Sequence, residues 1–173
     1  MNIVLMGYMG SGKSLIGRDL ARKLKFDYLD LDNFIEIQEK KKISEIFADK
    51  GEIYFRNKES LCLKVVLEEY KNTIISLGGG TPCFAGNLEN IQQDKNSKSV
   101  YLQTSLDQLV LRLFDERKKR PLISHLNLKD ELSDFVRKHL FERSFYYNQA
   151  DYKVITDKKD PNQISEECIS LLF

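Results

Sequence analysis

Short apolar runs alternate along this chain with longer stretches in which apolar residues recur at helical spacing. The first run, residues 2–6, is rich in β-forming side chains and is closed by Gly7, which predicts a buried strand. Further strands are predicted at residues 28–31, 72–77, 99–102 and 152–156. Strands that alternate with helices pair in parallel and are covered on both faces, so the pattern predicts an α/β fold. Ligands of such sheets bind beyond the carboxyl ends of the strands.

Helices are predicted between these strands. Residues 15–24 carry apolar side chains close to a helical period, and a second helical region, 52–70, follows a break at Gly51. The side chains predicted to face the core from this second region are Phe55, Leu61, Val65 and Val66.

Two helix starts carry signals of their own. Ser105 and Gln108 match a capping box, in which Gln108 reaches back to the Ser105 amide at the start of a helix over 106–117. Pro161 suits the first turn of a terminal helix, where its missing N–H costs nothing.

Length and charge narrow the classes of protein. The chain has 173 residues, which suits one domain, and 27 Lys and Arg stand against 26 Asp and Glu. This near-neutral balance argues against binding to nucleic acid or to a membrane surface, because both favour a basic excess. No apolar run approaches the roughly 20 residues that cross a bilayer, and the first run is too short for a signal peptide. Three widely spaced cysteines, Cys62, Cys83 and Cys168, fit neither a disulfide framework nor a zinc site, so we expect a cytoplasmic protein.

Glycine is scarce, and its distribution is the strongest compositional signal. The chain has 9 glycines, of which one cluster comprises Gly7, Gly10 and Gly12 and another comprises residues 78–80. Both clusters directly follow predicted strands, at the edge of the sheet where ligands are expected.

The first cluster belongs to residues 7–14, which match the pattern G-x-x-x-x-G-K-[ST]. Glycines let backbone N–H groups converge on a phosphate, and the helix that follows presents its positive end to the same anion. Lys13 adds a mobile positive charge for the outer phosphates, and the Ser14 hydroxyl suits Mg²⁺. The alternative is an accidental strand-to-helix turn. Since the motif follows a strand and opens a helix, as its mechanism requires, we predict a nucleoside triphosphate site with Mg²⁺.

Two carboxylates, Asp30 and Asp32, lie at the end of the second predicted strand. Alternation along a strand would place both on one side, facing the same cleft. One carboxylate could hold Mg²⁺ through water while the other accepts the proton of a substrate hydroxyl during phosphoryl transfer. The alternative is that Asp32 caps the helix that follows. Next to a phosphate-binding loop, we favour catalysis.

The second cluster, Gly78, Gly79 and Gly80, exceeds what a simple exit from a buried strand needs. Three glycines in a row indicate that the backbone approaches something closely, and a carboxylate would fit. Arg56 and Arg143 are candidates to join it, because a guanidinium binds a carboxylate through two parallel hydrogen bonds. Taken singly, each arginine is more often a solvated surface charge.

A basic stretch over residues 116–121 lies between helices. Its usual interpretation is a solvated loop, but in a phosphotransferase such a segment can close over the triphosphate and exclude water. Arg120 would then neutralise charge that develops during transfer.

Taken together, these motifs resemble the shikimate kinases, a family of P-loop kinases of the nucleoside-monophosphate-kinase type. The matching residues are 7–14, 30–32, 51–56 with Glu59, 76–80, 120–122, and Arg143 with Tyr147. The resemblance implies a three-layer P-loop NTPase fold with strand order 2-3-1-4-5 and a mobile lid. It also implies transfer of the γ-phosphoryl group of ATP to the 3-hydroxyl of shikimate. The single domain would include a substrate-binding helical region at about 32–60 and the lid at about 116–128.

The resemblance assigns the roles residue by residue. It implies that Asp32 is the base and that Mg²⁺ is held by Ser14 and, through water, by Asp30. The catalytic residues would be Lys13, Asp32 and Arg120. ATP would be bound by Gly10, Ser11, Gly12, Lys13, Ser14, Leu15 and Arg120. Shikimate would be bound by Asp32, Arg56, Gly78, Gly79, Gly80 and Arg143.

Several alternatives stay open. The spacing fits no single residue well for the adenine contact, so the candidates stay Arg112, Arg117, Lys158 and Lys159. Phe145 stands where the family often has proline, a difference that affects the local backbone rather than the Arg143 guanidinium. A gluconate kinase, a nucleoside monophosphate kinase and a non-catalytic nucleotide-binding module are the competing functions. Family resemblance suggests a monomer.

Overall fold

In the computed structural model, which describes residues 1–84 and 86–173, five parallel strands form one sheet. The strands are β1 (Asn2–Met6), β2 (Asp27–Asp30), β3 (Thr73–Ser76), β4 (Ser97–Gln103) and β5 (Tyr152–Ile155). Their order is β2-β3-β1-β4-β5, which confirms the order that the family resemblance implied. Each strand predicted from the sequence is present, with ends that differ by at most two residues.

Helices fill the connections between the strands. They are α1 (Lys13–Leu24), α2 (Leu31–Glu39), α3 (Ile43–Glu69), α4 (Asn87–Gln93), α5 (Leu106–Glu116), α6 (Lys129–Tyr147) and α7 (Pro161–Leu172). Short 3₁₀ turns lie at Thr81–Cys83 and Arg117–Lys119. No helix in the part of the chain that the structure describes has the length and apolar character needed to cross a bilayer.

Side chains that alternate along β1 divide the core into two layers. Ile3 and Leu5 pack with apolar residues of α1 and α7 on one face of the sheet. Val4 and Met6 pack on the other face with a larger cluster drawn from α2 to α6. Because the central strands are buried on both faces, they consist of apolar runs rather than alternating patterns. The predicted three-layer α/β/α architecture is therefore confirmed.

The helix break predicted at Gly51 is confirmed, but the predicted buried face of α3 is only half right. Gly51 has φ 82° and ψ 173°, which interrupts the helix. Phe55 and Val66 are buried, whereas Leu61 and Val65 are 60% and 38% exposed. The face that packs on the core comprises Phe55, Glu59, Cys62, Leu63, Val66 and Leu67. Its stripe at i, i+4, i+7 and i+11 includes the charged Glu59, which a search for apolar residues passes over.

The two predicted helix starts have different outcomes. Pro161 is the first residue of α7, as predicted. The Ser105 hydroxyl accepts a hydrogen bond from the Gln108 amide at 3.4 Å, which confirms one half of the capping box. The other half is wrong, because the Ser105 amide donates to Asp157 Oδ1 at 3.1 Å. Asp157 follows β5, so only the tertiary fold brings this better-placed acceptor to the helix start.

Candidate active site

The loop at residues 7–14 joins the carboxyl end of β1 to the start of α1. Gly10 and Gly12 have φ values of 81° and 94°, in the left-handed region that side chains with a Cβ disfavour. Gly12 occupies the N-cap of α1, so the first amides of the helix open toward the loop. The local conformation is therefore that of an anion-binding loop, and these glycines are required by the backbone itself.

Lys13 is folded back over this loop. Its Nζ donates to the carbonyl oxygens of Gly7 and Tyr8 at 2.8 and 3.0 Å. Burial of the ammonium lowers the pKa of Lys13 to about 8, while the nearby carboxylates of Asp32 and Asp30 act in the opposite direction. The lysine thus lies between the phosphate loop and the two acids at the junction of β2 and α2.

The expectation that Asp30 and Asp32 alternate along one strand is wrong. Strand β2 ends at Asp30, which is also the N-cap of α2, with Oδ1 accepting from the Asn33 amide at 3.2 Å. Asp32 lies in the first turn of that helix. The alternative role considered for Asp32, capping the helix, thus belongs to Asp30. Both carboxylates nevertheless line the same cavity.

Asp32 has a strongly perturbed acidity. Burial, with the nearby charges of Asp30 and Glu59, raises the pKa of its carboxyl to about 6, and Lys13 and Arg56 offset part of this effect. A carboxylate with a pKa this close to neutrality is a better proton acceptor than an ordinary aspartate and is still ionised at pH 7. Such perturbed groups in clefts are candidates for acid–base roles.

Side chains from other elements lie directly against the backbone of the three consecutive glycines after β3. A Cβ at Gly80 would lie 2.5 Å from Arg56 Nη2, and one at Gly79 would lie 3.3 Å from Arg143 Nη1. A Cβ at Gly78 would lie 2.9 Å from Asp32 Oδ1. The close approach predicted from the sequence is therefore present, and the groups that approach are the three candidate substrate-binding side chains. Arg56 and Arg143, which lie far apart in sequence, are brought to this loop.

Glu59 is a residue of the site to which the sequence analysis gave no role. Its side chain is 1% exposed and accepts from Arg56 Nη1 at 2.9 Å and from Thr81 Oγ1 at 2.6 Å. A buried charge is stable only when it is paired in this way, and the pairing fixes the Arg56 guanidinium against Gly80. The spacing of Arg56 and Glu59, three residues apart on a helix, is the sequence signal that would have found this pair.

A cavity of about 630 Å³ joins the phosphate loop to these acids and to the triple glycine. Its lining includes residues 9–16, Asp30, Asp32, Gly78, Gly79 and Arg120. The phosphate loop, the candidate base and two of the three consecutive glycines thus open into one space, although the sequence alone could not place them together.

Ser14 and Asp30 provide oxygen ligands at the start of α1. The Ser14 hydroxyl lies 3.4 Å from Asp30 Oδ2, and both residues line the cavity. Among residues 1–84 and 86–173, no group of three or more His, Cys, Asp or Glu side chains is arranged to hold a metal. Mg²⁺ bound with nucleotides uses one or two protein oxygens, with phosphate and water supplying the others, so the donor set fits this cation.

Comparison with known proteins identifies the family. A model of the family described as shikimate kinase matches residues 9–173. The chain belongs to the shikimate kinase family. A curated shikimate kinase from Flavobacterium psychrophilum is 46% identical over 171 residues, covering 99% of this chain and 98% of the relative.

Two solved shikimate kinase structures have the same fold as this family member. The enzyme from Bacteroides thetaiotaomicron is 36% identical, with a TM-score of 0.91 over 99% of this chain and 98% of that chain. The enzyme from Acinetobacter baumannii, solved in complex with shikimate, is 31% identical, with a TM-score of 0.86 over 99% of this chain and 92% of that one. The P-loop NTPase fold expected from the sequence is thereby confirmed.

Arg120 of this kinase lines the cavity together with Glu116. Its guanidinium forms two hydrogen bonds to Glu116 Oε2, at 2.6 and 3.1 Å, and its side chain is 36% exposed. Both residues line the cavity that also contains Lys13. The lid arginine expected from the sequence is thus paired with a glutamate one helical turn earlier.

The candidates for the adenine contact are separated by their surroundings. Arg112 lines the cavity and donates to the Gly10 carbonyl at 3.1 Å, and Lys159 also lines it. Arg117 instead stacks 4.0 Å above the ring of Phe114. Lys158 is exposed. Arg112 and Lys159 are therefore the better-placed pair.

Proposed function

We propose that this protein transfers the γ-phosphoryl group of ATP to the 3-hydroxyl of shikimate, giving shikimate 3-phosphate and ADP. The observation that carries the proposal is the single cavity that links Lys13, Asp32 and the triple-glycine loop. Asp32, a carboxylate of raised pKa, lines this cavity with the phosphate-binding loop, and the triple glycine beside it is approached by two arginines suited to a carboxylated acceptor. Membership of the shikimate kinase family supports the same reaction.

On the nucleotide side, backbone amides of the loop and the amino end of α1 bind the phosphates. Gly10, Ser11, Gly12, Lys13, Ser14, Leu15 and Arg120 form this part of the site. Lys13 leaves the carbonyls of Gly7 and Tyr8 and neutralises the outer phosphates. Arg120 leaves Glu116 as the lid closes and stabilises the charge that develops on the transferring group.

On the acceptor side, Arg56 and Arg143 bind the ring carboxylate, and the backbone of Gly78, Gly79 and Gly80 packs against the ring. Glu59 keeps the Arg56 guanidinium in place through the 2.9 Å ion pair. Because a guanidinium recognises a carboxylate with two parallel bonds, two such groups fix both the position and the orientation of the acceptor.

Asp32 orients the acceptor and accepts its proton. The 3-hydroxyl oxygen attacks the γ-phosphorus, the bond from that phosphorus to the bridging oxygen of ADP breaks, and the hydroxyl proton passes to Asp32. Most of the rate enhancement comes from positioning and electrostatic stabilisation, as is general for phosphoryl transfer.

Ser14 and Asp30, the latter through water, would hold Mg²⁺. When bound, the cation supplies positive charge to the β- and γ-phosphate oxygens. Single-domain organisation, with a substrate-binding region near 32–60 and a lid near 116–128, stays a prediction, as do a monomeric state and a cytoplasmic location.

A coupled ADP-release assay tests the acceptor. We expect turnover with shikimate and none with gluconate, AMP or CMP at the same concentration. Turnover with gluconate alone would make the protein a gluconate kinase, and turnover with AMP or CMP alone would make it a nucleoside monophosphate kinase.

A variant of the proposed base tests the mechanism. Asp32→Ala is expected to bind ATP but to lose nearly all phosphoryl transfer, whereas Asp115→Ala, an exposed acid on α5, is expected to behave as wild type. An unchanged rate in Asp32→Ala would contradict the role of this carboxylate. A wild-type protein that binds ATP but shows no turnover with any acceptor would favour the non-catalytic module.

A further inference from the structure

Tyr8, the second residue of the phosphate loop, has a side chain that the reaction above does not use. It is 1% exposed, and its hydroxyl lies 3.2 Å from His139 Nδ1 of α6. The guanidinium carbon of Arg143 lies 5.5 Å from the centre of the Tyr8 ring. The ring therefore provides an aromatic surface for a candidate substrate-binding arginine, at a distance where cation–π attraction operates.

One face of α6 is attached to both glycine-containing loops. His139, Arg143 and Tyr147 are four residues apart and so lie on the same side of the helix. His139 contacts Tyr8 of the phosphate loop, and the Tyr147 hydroxyl donates to the Gly79 carbonyl. Arg143 lies between these two attachments, so its backbone position is fixed one turn before and one turn after it.

The environment of His139 favours an uncharged imidazole. The ring packs 4.3 Å from the ring of Phe135, and burial lowers the pKa of His139, with a further lowering from Arg143 and Lys138 and an opposing effect of Glu142. A neutral imidazole with its proton on Nε2 accepts from the Tyr8 hydroxyl at Nδ1, and it adds no positive charge beside Arg143.

Tyr8 also belongs to the phosphate side of the site. Its carbonyl oxygen accepts from Lys13 Nζ at 3.0 Å and from the Ser11 amide at 3.1 Å. The backbone of this one residue therefore supports the phosphate loop, while its side chain supports α6.

We propose that Tyr8 and His139 are positioning residues that hold the Arg143 guanidinium in the orientation that binds the acceptor carboxylate. The inference rests on the proposed function, because it takes Arg143 to bind that carboxylate. Neither residue touches the reacting atoms, so their substitution weakens acceptor binding rather than the chemical step. Tyr8 thereby connects the phosphate loop to binding of the second substrate.

Steady-state kinetics with three variants tests this role. Tyr8→Leu removes the aromatic surface, and we expect the KM for shikimate to rise about tenfold while kcat and the KM for ATP stay within about twofold. Tyr8→Phe keeps the ring and removes the hydroxyl, and His139→Gln keeps a polar group without the imidazole. Each of these is expected to raise the KM for shikimate by about threefold, the equivalent of one modest hydrogen bond.

Tyr70→Phe is the matched control. Tyr70 packs edge-on against Phe34 at the end of α3 that leads into β3, away from the cavity. The KM values of the Tyr70→Phe variant are therefore expected to match those of the wild type. A purely structural role for Tyr8 in the phosphate loop predicts the opposite split, with a raised KM for ATP or a lowered Tm and an unchanged KM for shikimate. That outcome would overturn the inference, and Tyr8→Phe keeps it testable if Tyr8→Leu folds poorly.

A double-mutant cycle separates this inference from the proposed function. In an Arg143→Lys background, Tyr8→Leu is expected to change the KM for shikimate by less than about twofold, because the group it positions is already gone. Full additivity of the two effects would overturn the inference alone. If Arg143→Lys itself left the KM for shikimate unchanged, the proposed acceptor site would be the part that fails.

Discussion

The two glycine clusters of this kinase use the same residue type for different physical reasons. In the phosphate loop, Gly10 and Gly12 have positive φ values of 81° and 94°, so the backbone conformation itself requires glycine. In the triple-glycine loop, Gly80 has φ −90°, which any residue can adopt. What excludes a side chain there is the Arg56 guanidinium, 2.5 Å from where a Cβ would be.

This difference separates what local sequence can encode from what the fold must supply. The phosphate loop is complete within residues 7–14, because its conformation depends on neighbours in the chain. The triple-glycine loop becomes a site only when α2, α3 and α6 deliver Asp32, Arg56 and Arg143 to it. One cluster forms a site by its own shape, and the other makes room for side chains from elsewhere.

The largest expected effect is on the phosphate side of the comparison. Lys13→Ala removes the charge that we propose neutralises the outer phosphates, and kcat is expected to fall about 1,000-fold. Single-turnover kinetics with saturating ATP measures this loss directly. Lys64→Ala, an exposed lysine of α3, is the control and should retain the wild-type rate. A loss of less than tenfold in Lys13→Ala would show that the loop amides alone suffice.

The next largest effect is expected from a methyl group in the triple-glycine loop, and it is an effect on the KM for shikimate. Gly80→Ala would displace Arg56, and the KM for shikimate is expected to rise about tenfold, the equivalent of one charge-assisted hydrogen bond. Gly79→Ala should have a smaller effect, because its Cβ would lie 3.3 Å from Arg143 Nη1, a less severe contact than the 2.5 Å at Gly80. Initial rates with shikimate varied at saturating ATP give the KM for shikimate of each variant, and rates with ATP varied at saturating shikimate give the KM for ATP. A raised KM for ATP instead would remove the distinction between the two clusters.

A methyl group in the phosphate loop should act mainly through the backbone. Gly10→Ala forces an L-residue into the left-handed region and places Cβ 3.1 Å from Leu113. The free energy of unfolding, measured in urea, should therefore fall by about 1–2 kcal/mol. The KM for ATP should also rise. Gly51→Ala is the matched control, because Gly51 has φ 82° but open space around it. It should lose similar stability with no change in the KM for ATP. An equal rise in the KM for ATP in both variants would contradict this account.

A pH-dependent effect on stability is expected at the acid between the two clusters. The pKa of Asp32 is raised to about 6 in the folded state, above its unfolded value, so ionisation of this group destabilises the fold at neutral pH. Asp32→Asn should therefore raise the Tm at pH 7, and the gain should disappear as the pH falls from 6 toward 4. The Tm of both proteins across this range measures the effect. A gain that persists at pH 4 would exclude the raised pKa as its cause.

Much of the fold could be predicted because it depends on periodicity and on local chemistry. The apolar run at residues 2–6 is buried on both sides, and Pro161 starts α7, as expected. The buried face of α3 could not be predicted fully. Leu61 and Val65 are as apolar as the residues that are buried, and only packing against the sheet shows that the core side of the helix includes Glu59.

The candidate site also has features that local sequence predicts and features that only the packing of distant elements decides. Asp30 and Asp32 could be predicted to lie near the phosphate loop, but not that the strand ends between them and that Asp30 caps α2. The ends of elements depend on small differences in hydrogen bonding, so alternation extrapolated by two residues fails. The hydrogen bond from the Ser105 amide to Asp157 is missed for a related reason, since the acceptor lies 52 residues away.

By itself, the sequence determined the phosphate loop, the parallel α/β class and the identity of the acids and arginines, because each depends on residue type and short-range spacing. Only the tertiary structure decided that Arg56, Arg143 and Asp32 meet at the triple glycine, that Glu59 is buried beneath Arg56, and that Tyr8 and His139 meet beside Arg143. These contacts join residues separated by long stretches of chain. Their distances depend on how whole elements pack, and no local pattern contains that information.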